Sequence, residues 1–101
     1  MNNLTQYNPA VNASPFAMHI MGTKIRKLRE IYSFSQEYVA FQMNISQAAY
    51  SKKESGRTDL SLNCLNKLAC IYHISMIDLI SLNTQELMLK VIQSDSKLIA
   101  W

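Results

Sequence analysis

The chain has 101 residues, a net charge of +3 and two cysteines, which suits one small domain with a modest core of its own. It shows no secretory pattern and no long apolar run, so it reads as cytosolic (a cytoplasmic protein), reduced and without a membrane span. It also lacks a Ser–His or Cys–His catalytic set, a metal-ligand cluster and a Gly-rich phosphate loop, so neither an enzyme nor a cofactor is expected.

The first stretch, residues 1–18, is rich in Asn, carries both prolines and has no regular period. This predicts a flexible arm. From His19 onward, Met21, Ile25, Leu28 and Tyr32 recur at steps of four, three and four, with Ile31 alongside. That spacing predicts a helix ending near Ser33, on which Lys24 and Lys27 supply long-range attraction. Ser35 is the N-cap of a second helix, Gln36 to Met43, with Val39, Ala40 and Met43 inward. Ile45 plugs the corner that follows. Ser46 caps a third helix reaching about Ser55, and Gly56 stands where positive φ is needed. Ser61 caps a fourth helix whose inward stripe is Leu62, Leu65, Leu68, Ala69 and Tyr72. Ser75 and Asp78 form a Ser-x-x-Asp capping box opening a fifth helix through Leu82.

Residues 83–101 carry Leu87, Met88, Val91 and Ile92 on one side of an amphipathic segment, followed by Leu98, Ile99 and Trp101. The segment is too short to fold alone and must pack on the domain or on a second chain. Cys64 and Cys70, six residues apart on the fourth helix, point to different faces and cannot bond within it. Strand and hairpin signals are absent.

Charge is concentrated around the corner. Between Gly22 and Arg57, Lys24, Arg26, Lys27, Arg29, Lys52, Lys53 and Arg57 face Glu30, Glu37 and Glu54, a net of +4. This fits a footprint on nucleic acid. The third helix shows Gln47, Ala48, Ser51, Lys52 and Ser55 outward, small or hydrogen-bonding groups that suit a major groove about 12 Å wide.

Ile-Arg-x-Leu-Arg at 25–29, Ser-Gln at 35–36, Ala40, Ile45-Ser46, Lys-x-Glu-x-Gly ending at Gly56, Ser61-Leu62 and Leu68-Ala69 occur in this order without gaps. Over about 22–80 the chain thereby resembles the phage-repressor or Cro-like (Xre-type) helix-turn-helix family. The resemblance implies an all-α, five-helix lambda-repressor-like domain over 19–82, with a flexible N-terminal arm and a short C-terminal helical extension. It implies base reading by Gln47, Ala48 and Lys52: an adenine edge for Gln47, a thymine methyl for Ala48 and guanine for Lys52. Phosphate-positioning roles fall on Gln36, Ser46, Lys53, Ser55, Arg57 and Thr58. Arg29 and Glu54 take positions that the family pairs in a partly buried ion pair. Relatives commonly dimerise near the fifth helix, which makes Ile77, Leu87, Val91 and Ile92 dimer candidates.

The chain departs from the family pattern in places. Ser33, Asn44 and His73 stand where Gly is frequent; Asn and His tolerate the left-handed conformation best among the rest. His73 reads as a helix-end residue and not as a metal ligand. Lys53 holds an inward, usually apolar position, which it can fill by laying its methylenes on the core. Tyr38, Phe41, Cys70, Ile71 and Ile77 are apolar where the family is polar or small, making either a contact surface or an enlarged core. The implied function is a sequence-specific regulator binding double-stranded DNA as a homodimer on an inverted repeat. The alternative is a protein-binding module, such as an antitoxin masking a partner through its aromatic face or tail.

Overall fold

The computed structural model describes residues 15–94; the arm up to residue 14 and the apolar Leu98, Ile99 and Trp101 lie outside them. The described chain is helical: α1 (Pro15–Ile31), α2 (Gln36–Met43), α3 (Gln47–Glu54), α4 (Leu62–Tyr72), α5 (Met76–Ser81) and α6 (Thr84–Ser94). Among the described residues there is no strand.

Serine starts most of these helices. The hydroxyls of Ser35, Ser46, Ser61 and Ser75 accept from the backbone N–H groups of Tyr38, Ala49, Cys64 and Asp78 at 3.0–3.1 Å. Each bond satisfies a donor that the helix geometry leaves without a partner. Asn83 and Glu86 make a reciprocal capping box for α6: Glu86 N–H donates to Asn83 Oδ1 at 2.8 Å, and Asn83 N–H to Glu86 Oε1 at 3.2 Å. α1 begins at Pro15 and not at His19. Proline suits a first helical position because its missing N–H costs nothing there. The extra turn leaves Phe16, His19 and Ile20 exposed, so it adds no apolar stripe to betray itself in the sequence.

Three helices end alike. Ser33, Asn44 and His73 have φ of 57°, 61° and 55°. Beyond each, the next residue donates its N–H to the carbonyl five positions back: Phe34 to Arg29, Ile45 to Ala40 and Ile74 to Ala69, all at 3.0 Å. Phe34, Ile45 and Ile74 then tuck against the core, completing Schellman-type ends. Gly56, with φ of 77°, ends α3 in the same manner, Arg57 N–H reaching Lys52 O.

The core is built from Ile25 and Leu28 of α1, Val39, Ala40 and Met43 of α2, Tyr50 of α3, Leu65, Leu68, Ala69 and Tyr72 of α4, Leu79 of α5, and Leu87 and Val91 of α6. Thus α6 packs on α1 in the same chain. Burying an aliphatic side chain contributes roughly 1.5–3 kcal/mol, and a domain of this size holds about 5–15 kcal/mol in all. Leu87 and Val91 therefore make α6 part of the domain and not an appendage to it. Leu62 is a correction to the inward stripe of α4. It sits in the first helical turn, beyond the edge of the core, and is 69% exposed.

Two α1 residues fix this helix to its neighbours. Gly22 lies against the end of α3: a Cβ there would come within 2.8 Å of the Lys53 carbonyl oxygen and closer still to that of Glu54. Lys24 is the second correction. Its ammonium is buried and donates to Leu79 O at 2.9 Å and Ile80 O at 3.3 Å. There it caps the carbonyl end of α5, where a cation is favoured, and is not a distant attractor of phosphate. Burial lowers its pKa from the ordinary value.

Gly22→Ala is expected to lower stability by roughly 1–3 kcal/mol, because backbone cannot yield as a side chain can; urea unfolding midpoints measure it. Ser33→Gly and His73→Gly are expected to act oppositely. Relief of left-handed strain, about 1–2 kcal/mol, outweighs the added freedom of the unfolded chain, about 0.4–1 kcal/mol. Thermal unfolding should therefore show a raised midpoint for Ser33→Gly, with smaller rises for Asn44→Gly and His73→Gly, whose native residues tolerate the left-handed conformation better.

Candidate nucleic-acid interface

The back of α3 is held by one carboxylate. Tyr50 and Glu54, four residues apart, both point inward. Glu54 Oε2 receives Arg29 Nε at 2.6 Å and the Tyr50 hydroxyl at 2.5 Å; its Oε1 receives Arg29 Nη2 at 3.2 Å and Gln36 Nε2 at 3.0 Å. Arg29 Nη1 also donates to Phe34 O at 2.9 Å. Helices α1, α2 and α3 thus meet on a single side chain. Burial alone pushes the Glu54 carboxyl up, but the bonds from Arg29, Tyr50 and Gln36 together with the Arg29 charge outweigh it and hold the group below its ordinary value. Burial and donation to Glu54 push the Tyr50 phenol well above its ordinary range, so it stays a donor.

The front of α3 is free. Gln47, Ala48 and Lys52 are exposed, and the side chains of Gln47 and Lys52 have no hydrogen bond within the described residues. Ser46 is exposed, with its hydroxyl accepting from Ala49 N–H at the cap. Lys53 is half-buried and its ammonium reaches Asp59 O at 3.1 Å, a cation at the surface on a stem laid inward. Ser55 donates to Lys52 O at 3.1 Å and accepts from Arg57 Nε at 3.3 Å, which aims the exposed Arg57 back along the helix end.

Two of the expected phosphate contacts look different here. The Thr58 hydroxyl is enclosed, with no hydrogen-bond partner, so only a displacement of its loop could bring it to an anion. The Gln36 amide is spent partly on Glu54; what it offers outward is its remaining N–H, beside the unpaired backbone N–H groups at the start of α2.

Two dimer candidates are also corrected. Leu87 and Val91 are sealed in the monomer core and offer nothing to a second chain. Ile77 is 75% exposed, Ile80 beside it is exposed too, and Ile92 is half-buried. Asp78, between the first two, pairs with Lys90 of α6 at 2.6 Å. On α2, Tyr38 packs its ring on Phe34 with centroids 4.6 Å apart, and Phe34 approaches Tyr32 and Tyr72. Phe41 is left 77% exposed.

The sequence reading missed the bond from Tyr50 to Glu54 and the structural duty of Gln36. Tyr50 carried a usable signal: it stands one helical turn before Glu54 on the face that also holds the expected inward position. Phe34, whose carbonyl accepts from Arg29 and whose ring meets Tyr32, Tyr38 and Tyr72, follows a left-handed residue and belongs to no periodic stripe.

Among the described residues no group of three His, Cys, Asp or Glu side chains is placed to hold a metal, and no helix is long and apolar enough to cross a membrane. A family profile described as helix-turn-helix matches residues 25–79. The fold is similar to the crystal structure of the clp gene regulator ClgR from Corynebacterium glutamicum, with a TM-score of 0.63 and 19% identity over 82% of this chain and 88% of that one. At that identity the likeness speaks to the fold. No curated protein sequence matches the chain.

Glu54 sets an acid limit on the domain. A carboxyl held below its ordinary value near 4.5 gives stability that is complete above that value and lost as pH falls through the folded one. Melting curves from neutrality into acid should show this loss in the native chain and a flatter acid limb in Glu54→Gln. Arg29→Ala, which leaves the carboxylate without its charge partner, is expected to cost about 3–5 kcal/mol at neutrality.

Proposed function

The chain belongs to the Xre/Cro-like helix-turn-helix family, and on that footing we propose that it is a DNA-binding transcription regulator reading the major groove of double-stranded DNA with α3. The observation that carries this reading is the contrast between the two faces of α3. Its back is anchored through Glu54 to α1 and α2, and its front presents Gln47, Ala48 and Lys52 with no partner of their own. Gln47 bonds an adenine edge, Ala48 meets a thymine methyl and Lys52 donates to guanine O6 or N7. The start of α2, with Gln36, takes one phosphate strand; Ser46, Lys53, Ser55 and Arg57 take the other.

The regulator acts as a homodimer, with Ile77 and Ile80 at the exposed face of α5 as its contact. Two copies of α3 then enter successive major grooves about 34 Å apart, and the operator is an inverted repeat. A second reading, a protein-binding module, is favoured by one observation: Phe41, with Tyr38 beside it, is an exposed aromatic group with no structural duty. The two readings separate by salt, since binding through Lys and Arg to phosphate weakens steeply as salt rises while apolar binding does not.

Selection of bound duplexes from random DNA near physiological salt tests the proposal. The native chain is expected to enrich an inverted repeat, and Gln47→Ala/Lys52→Ala to lose or relax it. Each lost base contact should cost about 1–3 kcal/mol of discrimination. Absence of any enriched sequence with the folded native chain would overturn the DNA reading and turn attention to Phe41.

A further inference from the structure

Helix α6 turns only part of its apolar surface inward. Leu87 and Val91 enter the core, but Met88, Leu89 and Ile92 line an open groove of about 520 Å³ together with Thr84, Gln85 and Lys27. Leu89 is 58% exposed. The groove follows α6 from Thr84 to Ile92, about 12 Å at 1.5 Å per residue. An apolar strip running the length of a helix is a surface that another apolar segment covers.

The position of the groove and the sequence after it point to one occupant. The described helix ends at Ser94, less than a turn beyond Ile92. The residues that follow are Asp95, Ser96 and Lys97, then Leu98, Ile99, Ala100 and Trp101: a polar triplet, then an apolar quartet. Asp and Ser favour chain reversal. Four extended residues span at most about 13–14 Å, the length of the groove. A segment tethered this closely has an effective concentration on the order of millimolar, against which a second copy at micromolar concentration competes poorly.

We propose that residues 95–101 of the same chain dock in the α6 groove, with Leu98, Ile99 and Trp101 covering Ile92, Leu89 and Met88. The inference is independent of DNA reading, because the groove shares no residue with the α3 interface.

Trp101 is the only tryptophan in the chain and therefore reports on its own docking. The test follows Trp emission and acrylamide quenching of the full chain over a dilution series, beside Leu89→Asp and Leu98→Asp. Leu89 is exposed and Leu98 follows the last described helix in the sequence, so neither variant should disturb the fold; far-ultraviolet circular dichroism verifies that. Expected is a blue-shifted emission in the native chain, shielded from quencher and unchanged by dilution. Both variants should red-shift it and raise quenching severalfold. A native Trp101 as accessible as in the variants would overturn the proposal. So would shielding that fades on dilution, which would put the segment on a second copy.

Discussion

A carboxylate enclosed among helices must be surrounded by donors or give up its charge. Glu54 keeps its charge because four donated hydrogen bonds from three side chains converge on its two oxygens, two of them from a guanidinium. The remaining structure follows from where those donors originate. Arg29 comes from the end of α1, Gln36 from the start of α2, and Tyr50 from α3 itself. The corner between α2 and α3 is thus fixed from behind by polar contacts of defined direction, as well as by the apolar plug of Ile45. Apolar packing tolerates small slides and rotations; a carboxylate bound on both oxygens tolerates far less. A helix proposed to present Gln47, Ala48 and Lys52 to base edges benefits from that intolerance.

Much of this arrangement was legible in the sequence because it rests on local rules. Four serines announce four helix starts by a bond that needs only residues i and i+3. Ser33, Asn44 and His73 stand at left-handed helix ends although none is glycine, since the backbone conformation is set by the chain reversal and by the apolar residue that follows. The ion pair between Arg29 and Glu54 was legible through resemblance, not spacing, because nothing local links residues 25 positions apart.

What escaped the sequence depends on which surfaces meet. The apolar stripe of α6 is equally suited to a core and to a second chain, and only the position of α1 decides that Leu87 and Val91 go inward. Lys24 looks like its neighbours Arg26 and Lys27, all cations on one helix, yet the end of α5 lies over it alone. Thr58 has the right chemistry for phosphate and the wrong orientation. In each case the residue type was informative and the facing direction was not.

The close approach at Gly22 bears on how such a protein can change its target. Because the backbone of α1 rests directly on the carbonyl end of α3, with no side chain between them, the height of α3 is set by a backbone contact that glycine permits, and its tilt by the donors that hold Glu54. The outward positions 47, 48 and 52 contribute nothing to that seating. They can be exchanged for other residues without moving the helix, so on the proposed reading new operator preferences lie within one or two substitutions. Recognition, on that reading, is an interchangeable surface on a fixed mount.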